Sequence, residues 1–188
     1  MVSNKELQQN HAIAYFAGGC FWCVESDLQK LPKVIDVMSG YMGGSEQNPS
    51  YYDVASGQTG HRESVAVVYN PDETSYKDLV IQFMKTHDPT DDGGSFHDRG
   101  HQYTSAIYYN NEEEKNIAEM VIAGFERIFD DPIVTKLEPA GTFWMAEEEH
   151  QKYAEKNPGH YDAYRKGSGR ESFVQDIDQK YKENYEQK

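Results

Sequence analysis

Two cysteines, Cys20 and Cys23, are the only ones in the chain, and they lie three positions apart. Two cysteines cannot form a disulfide framework, and a local C-x-x-C pair is typical of redox or metal chemistry. Cys20 follows Gly18-Gly19 and precedes a segment with helical spacing. The free N–H groups and positive end of a first helical turn stabilise a thiolate. The pattern therefore favours a nucleophile at Cys20 over the alternative of a buried, inert thiol.

Two large aromatic residues, Phe21 and Trp22, directly follow Cys20. By composition alone, such residues are expected in the hydrophobic core. Beside a nucleophile, they can also form the wall of an apolar pocket.

The sequence around the first cysteine, AGGCFWCVE, resembles the active-site motif of the A-type peptide methionine sulfoxide reductases. Further segments resemble later blocks of that family, in the same order. They are Gly40-Tyr41-Met42-Gly43-Gly44, Asn48-Pro49-Ser50-Tyr51, Thr59-Gly60-His61-Arg62-Glu63, His87-Asp88-Pro89-Thr90, Asp98-Arg99-Gly100, Gln102-Tyr103, Glu149-His150-Gln151 and Lys156-Asn157-Pro158. Together the blocks cover roughly residues 13 to 170, which makes chance a poor explanation.

The resemblance implies roles for individual side chains. Cys20 would attack the sulfur of a methionine sulfoxide, and Glu63 would supply a proton to the sulfoxide oxygen. Tyr51 and Tyr103 would hydrogen-bond that oxygen, and Asp98 would hold the polar end of the site. The aromatic pair after the cysteine would enclose the methyl group of the substrate.

The chemistry of a sulfoxide agrees with these residue types. Its oxygen carries negative charge, so attack on sulfur becomes easier as the oxygen gains a proton. A carboxylic acid holds that proton at neutral pH only if burial raises its pKa, and tyrosine hydroxyls add neutral donors. Taken singly, Glu63 would be a solvated charge at a strand end, Tyr51 one of 14 tyrosines, and Asp98 a turn residue.

The chain departs from the family pattern in its cysteines. Many relatives carry a resolving cysteine in the C-terminal tail, whereas this chain has none after Cys23, which replaces a residue that is often glycine. Two routes stay open for the Cys20 sulfenic acid. Either Cys23 resolves it as a disulfide, or an external thiol reduces Cys20 directly and Cys23 is structural.

Two other functions fit part of the pattern. A general thiol–disulfide oxidoreductase of the thioredoxin type shares the C-x-x-C spacing but leaves the later blocks unexplained. A non-enzymatic zinc module could use both cysteines with His97 and His101. However, the two pairs are much farther apart than in a short zinc finger. We expect no metal and no cofactor.

The order of predicted elements indicates an α+β fold. Strands are predicted over residues 13–17, 34–41, 63–69, 105–109 and 134–138, and helices over 21–30, 75–86, 111–128 and 146–156. This order, together with the family resemblance, predicts a two-layer sandwich with a ferredoxin-like split βαβ core and a mixed sheet. Residues 42–61 and 87–103 are predicted to be long loops, and loops of that length are usually functional.

The whole chain, residues 1–188, is predicted to be one catalytic domain. Residues 1–11 would be a polar extension, and a coil-like tail from about 157 to 188 would wrap the domain. The net charge of −14 disfavours nucleic acid and anionic membranes as partners.

The N-terminus shows no signal-peptide pattern, which favours the cytoplasm, and we expect a monomer. The resemblance implies that the substrate is the S epimer of methionine sulfoxide, free or in proteins, in a repair role. It also implies that thioredoxin, or another thiol, is the reductant.

Overall fold

The computed structural model describes residues 11–186, which alternate between strands and helices. The strands are β1 (Ala12–Gly18), β2 (Val34–Met42), β3 (Arg62–Tyr69), β4 (Gly94–Ser95), β5 (Asp98–Arg99), β6 (Ser105–Tyr109), β7 (Lys136–Pro139) and β8 (Trp144–Met145). The helices are α1 (Phe21–Gln29), α2 (Tyr51–Ala55), α3 (Tyr76–Met84), α4 (Glu112–Phe125), α5 (Tyr153–Lys156), α6 (Pro158–Gly167) and α7 (Arg170–Tyr185), with 3₁₀ turns at His101–Tyr103 and Glu148–His150.

Six strands form one sheet in the order β7-β6-β1-β3-β2-β8. Neighbouring strands are antiparallel except β6 and β7, which are parallel, so the sheet is mixed as predicted. β4 and β5 form a separate hairpin. The two central strands, β1 and β3, pair Phe16 with Val65, and both lead into the site described below.

The core follows the period-two alternation of the strands. On β1, Ala14 and Phe16 are fully buried in the main cluster with residues of α1, α3 and α4. Phe16 stacks on Phe83 of α3 with ring centroids 4.7 Å apart. The alternate residue Ala17 belongs to a second cluster with Tyr108 of β6. The sheet is therefore packed on both faces.

The C-terminal segment differs from the prediction of a coil-like tail, because it forms helices α6 and α7. The segment has few large aliphatic residues, which misled the prediction. Its apolar residues are nevertheless four apart, at Phe173, Ile177 and Tyr181, and this spacing places them on one helix face. Ile177 is buried in the main core, and Tyr181 stacks on Phe125 of α4 at 5.2 Å.

Three other predicted segments need correction. The loop predicted over 87–103 contains the β4–β5 hairpin and a 3₁₀ turn. The helix predicted over 146–156 is a 3₁₀ turn followed by the short α5, and Lys152 between them has a left-handed backbone with φ +53°. The loop predicted over 42–61 contains α2, which a capping box between Ser50 and Asp53 begins. A five-residue helix is too short to leave a periodic apolar pattern in the sequence.

Most of the N-terminal extension predicted over residues 1–11 lies outside the described residues. Among the described helices, none is long and apolar enough to cross a membrane.

Candidate active site

Cys20 is the N-cap residue of α1, directly after β1 and the Gly18-Gly19 turn, so the predicted position at a helix start is confirmed. Gly19 has φ +88°, and a Cβ atom added there would lie 2.3 Å from the Cβ of Ser95. Only glycine fits this conformation and this space. The tight turn thus delivers the thiol from the end of a central strand, with 5% of its residue surface exposed.

The second cysteine, Cys23, lies one turn into α1 and is fully buried. The two thiols share a hydrogen bond, which lowers the pKa of Cys23 to about 7. Burial and the same bond raise the pKa of Cys20. At Cys20, burial therefore outweighs the stabilisation of a thiolate by the helix N-terminus. In the reduced pair the thiolate is favoured at Cys23, contrary to the expectation from the sequence. Coupled groups titrate as a pair, so the pair shares its first proton loss near neutral pH.

Glu63 on β3, the predicted proton donor, is a buried carboxyl that is 2% exposed. The backbone N–H of Phe21 donates to its Oε2 atom at 3.0 Å, so the proton of the neutral acid belongs on Oε1. Burial raises the pKa of Glu63 to about 8, and the nearby charges of Asp98 and Cys23 act in the same direction. At neutral pH this carboxyl is mostly protonated, which is the state a proton donor needs.

A cavity of about 240 Å³ brings these groups together. Its lining contains every residue assigned above to attack, protonation, oxygen binding and methyl enclosure, together with one additional tyrosine. The lining residues are Cys20, Phe21, Trp22, Tyr51, Glu63, Asp98, Tyr103 and Tyr164. Burial raises the pKa values of Tyr51 and Tyr103, so both hydroxyls keep their protons and can donate.

Tyr164 on α6 is the lining residue that sequence reasoning missed. Its hydroxyl donates a short hydrogen bond to the carboxylate of Asp98. Its ring meets Trp22 edge-on, with centroids 6.2 Å apart. Sequence reasoning missed this residue because it predicted a coil-like tail where the chain forms α6. The signal that could have found it is the spacing of Tyr161, Tyr164 and Ser168, which share one face of a helix.

The aromatic wall of the cavity is held from behind by rings of the C-terminal part. Trp22 stacks on Tyr153 with centroids 3.9 Å apart, and its Nε1 donates to Nδ1 of His150 at 3.3 Å. His150 in turn stacks on Tyr51 at 4.2 Å. This packing restricts the rotamers of Trp22 and Tyr51, so the wall is preorganised for a small apolar group.

Glu147 fixes the other side of the site. Its carboxylate accepts from the Tyr51 backbone N–H at 2.8 Å and from the Tyr41 hydroxyl at 2.7 Å. The first bond satisfies a free N–H in the first turn of α2. Glu147 thereby positions α2, and with it the Tyr51 hydroxyl.

Within residues 11–186, no group of three or more His, Cys, Asp or Glu side chains is arranged to hold a metal ion. That part of the chain does not assemble the ligand set that the zinc alternative requires. Nε2 of His101 lies 3.0 Å from the carbonyl oxygen of Gly60.

Comparison with known proteins identifies the family. The family model described as peptide methionine sulfoxide reductase matches residues 12–182. The chain is 47% identical over 170 residues to peptide methionine sulfoxide reductase MsrA of Bacillus velezensis, covering 89% of this chain and 96% of that protein. The chain belongs to the peptide methionine sulfoxide reductase family, which confirms the resemblance found in the motifs.

Two further matches define the extent of the similarity. Peptide methionine sulfoxide reductase MsrA/MsrB of Vibrio cholerae is 45% identical over 170 residues, and the match spans 89% of this chain but only 45% of that longer protein. The reduced form of Mxr1 from Saccharomyces cerevisiae superimposes with a TM-score of 0.77 at 29% identity. This structural match covers 81% of this chain and 88% of the yeast chain.

Proposed function

We propose that this chain reduces methionine S-sulfoxide, free or in proteins, to methionine, as repair of oxidative damage. The observation that carries the proposal is a protonated carboxyl, Glu63, in the same cavity as the Cys20 thiol. A sulfoxide needs a nucleophile at sulfur and a proton at oxygen, and this cavity offers both. Family membership argues against a general thiol–disulfide oxidoreductase, and disulfide exchange develops no charge on an oxygen that this acid could protonate.

In the first step, the Cys20 sulfur attacks the sulfoxide sulfur while Glu63 gives its proton to the oxygen, and the proton of the Cys20 thiol returns to the Glu63 carboxylate. Tyr51 and Tyr103 donate hydrogen bonds to the same oxygen, and Asp98 holds the polar end of the cavity. The substrate S–O bond breaks, and an S–O bond to Cys20 forms. The substrate sulfur gains two electrons and the Cys20 sulfur loses two, so the products are methionine and a Cys20 sulfenic acid.

The apolar end of the cavity would bind the methyl group. Phe21 and Trp22 supply its walls, and Tyr164 adds a ring from α6. Through its bond to Asp98, Tyr164 would also hold that carboxylate in place. This division into an apolar and a polar end would orient the sulfoxide, and we propose that it selects the S epimer.

We propose that Cys23 resolves the sulfenic acid. The Cys23 sulfur attacks the Cys20 sulfur, a disulfide forms, and the oxygen leaves as water with the Cys23 proton. The packing of Cys20 and Cys23 in one small buried cluster supports this route, because it places the two side chains together. A pKa of about 7 at Cys23 also gives a substantial thiolate fraction at neutral pH. The alternative is direct reduction of Cys20 by an external thiol.

A dithiol reductant, thioredoxin by family resemblance, would return the disulfide to two thiols. A reducing compartment suits a pair of free thiols, and we propose the cytoplasm. We also propose that the chain acts as a monomeric single domain, and that nucleic acid and membranes are not its partners.

We further propose that the central strands form a ferredoxin-like split βαβ core. In its support, α1 joins β1 to β2 with β3 between them, and α3 joins β3 towards β6 with β1 between them. The helices α1, α3 and α4 would form the second layer.

Cysteine substitutions test the proposed route. Cys20→Ser should abolish reduction of methionine S-sulfoxide. Cys23→Ser should still complete one turnover without reductant but should slow under steady state with thioredoxin as the donor. Turnover by Cys20→Ser would overturn the nucleophile assignment, and unchanged steady-state rates in Cys23→Ser would favour direct reduction of Cys20.

A further inference from the structure

A buried positive charge lies behind the cysteines. Arg170, the first residue of α7, is fully buried. Its guanidinium donates to the carbonyl oxygens of Thr86 at 2.7 Å and Gly18 at 3.3 Å, and to the hydroxyl of Ser95 at 2.9 Å. It also lies over the Phe96 ring at 4.8 Å. All these partners are neutral.

No carboxylate in the described part of the chain forms an ion pair with this guanidinium. By contrast, three other arginines each form an ion pair with an Asp or Glu, namely Arg62, Arg99 and Arg165. The Nε of Arg170 also has no hydrogen-bond partner among the described residues. An arginine keeps its charge at any ordinary pH, and burying a charge without a counter-ion is costly. The placement of Arg170 therefore calls for a compensating negative charge.

The position of the guanidinium indicates where that charge forms. Nη2 of Arg170 would lie 2.8 Å from a Cβ added to Gly19, the residue directly before Cys20. Both terminal nitrogens also contact the carbonyl oxygen of Gly18. The positive charge thus lies against the turn that delivers the nucleophile, and its field favours the ionised forms of Cys20 and Cys23 by lowering their pKa values.

We propose that Arg170 is a positioning residue that supplies the counter-ion for the singly deprotonated Cys20–Cys23 pair and holds the Gly18-Gly19 turn. The inference rests on the proposed function, in which that pair is the redox centre. Arg170 therefore links the C-terminal helix α7 to the chemistry at the start of α1.

Other charged and titratable groups also face the pair. They are Glu63, Asp27, Arg165, Tyr51, Tyr103, Tyr161 and Tyr164. Asp98 lies at the polar end of the cavity, and His87 lies behind the Gly18-Gly19 turn. Arg165 is neutralised by ion pairs with Asp27 and Glu171. Asp27 opposes thiolate formation at Cys23, as Glu63 does at Cys20 once it ionises, and burial keeps the tyrosines neutral. Arg170 is the one cation of this set without a carboxylate partner.

Variants separate charge from packing. Arg170→Lys keeps the charge, whereas Arg170→Gln and Arg170→Met remove it, and Gln retains donors for the carbonyl oxygens. The measurement is the midpoint of thiolate formation in the full chain, from ultraviolet absorbance against pH. We expect both neutral variants to raise the midpoint by about one pH unit or more. The Lys variant should stay close to wild type.

The control is Arg62→Met, which removes another buried arginine, one that is paired with Glu138. It should destabilise the fold without moving the thiolate midpoint. Neutral variants that lose stability but keep the wild-type midpoint would overturn the proposal, as would a Lys variant that shifts as far as Gln or Met. If one neutral variant fails to fold, the other and the Lys variant still decide.

This readout needs no substrate. A wild-type protein without sulfoxide reductase activity would overturn the proposed function, while the titration would still test the influence of Arg170 on the thiols.

Discussion

At the scale of single residues, burial decides which group carries the proton. Glu63 is buried, with 2% of its surface exposed, so its neutral form is favoured. Asp98, in the same cavity, accepts a hydrogen bond from Tyr164. The two carboxyl groups thus have different surroundings, and the raised pKa of Glu63 makes it the candidate for an acid at neutral pH.

Replacing the acid tests its role in the reaction. Glu63→Gln should lower the rate of sulfoxide reduction by about 10²- to 10⁴-fold, the usual contribution of a general acid. Because the pKa of Glu63 is raised to about 8, the wild-type rate should fall as the pH rises through that value and the acid loses its proton. Gln does not titrate, so this alkaline fall should be absent. The pH profiles of kcat/KM for both proteins provide the measurement, because kcat/KM reports the groups of the free enzyme. An unchanged rate and profile would remove Glu63 from the mechanism.

The sequence predicted seven of the eight residues that line the cavity, because the family motifs place them in short, recognisable blocks. It did not predict Tyr164, and it gave no indication of Arg170. Both lie in the C-terminal helices, whose polar composition concealed them. A buried charge such as Arg170 is defined only by its three-dimensional surroundings, which no local pattern encodes.

At the scale of elements, the site depends on the edge where β8 pairs with β2. Gly40 of β2 lies opposite Met145, and a Cβ there would lie 2.3 Å from the Phe143 ring and 2.4 Å from the Trp144 carbonyl oxygen. Glu147, which positions α2, follows directly after this edge. The close approach of the two backbones therefore contributes to the geometry of the cavity.

A pair of glycine substitutions tests this dependence. Gly40→Ala should destabilise the protein by about 1–3 kcal/mol, as overpacking does, and should lower the reductase rate because β8 must move. Gly167→Ala on α6 is the matched control, since nothing lies within 4 Å of its added Cβ; it should be neutral or stabilising by up to about 1 kcal/mol. Denaturant unfolding and steady-state rates give the readouts. Equal stability of the two variants would contradict the packing argument.

The five longer strands were predictable, whereas the two-residue strands β4, β5 and β8 and the C-terminal helices were not, for a physical reason. β3 contains an apolar run over residues 65–69 that Asn70-Pro71 ends, and four of the five residues of β6 are apolar or aromatic. The bounds of both strands agree with the prediction to within one residue. In α7, by contrast, polar and charged residues predominate, and its apolar and aromatic residues are mostly four positions apart. That helix is stabilised by contacts with distant parts of the chain rather than by its own composition.

At the scale of the whole molecule, the protein carries a net charge of −14 but buries cationic groups near its centre. His87 is fully buried beside Arg170. Burial and the positive charge of Arg170 both lower the pKa of His87, to about 3. Its ring packs on Phe83 at 4.5 Å. The neutral imidazole is therefore part of the folded state. The net charge predicts that nucleic acid is not a partner, and this stays a prediction.

The buried histidine should limit stability in acid. Its folded pKa of about 3 lies below its ordinary value, so its contribution is full above pH ~6.5 and is lost as the pH falls towards 3. Between pH ~7 and ~4 the loss amounts to about 3 kcal/mol. His87→Asn should lose less stability over that interval than wild type, whatever its stability at neutral pH. Urea unfolding at both pH values measures this difference, and equal losses would refute it.

The central claim is tested most directly by a single-turnover experiment without added reductant. The S and R epimers of methionine sulfoxide are offered separately, and free thiols are counted before and after. We predict one methionine per chain from the S epimer alone, with loss of both thiols as the disulfide forms. Loss of the Cys20 thiol alone would agree with reductase activity, but it would assign the resolving step to an external thiol. No turnover of either epimer would contradict the proposed function.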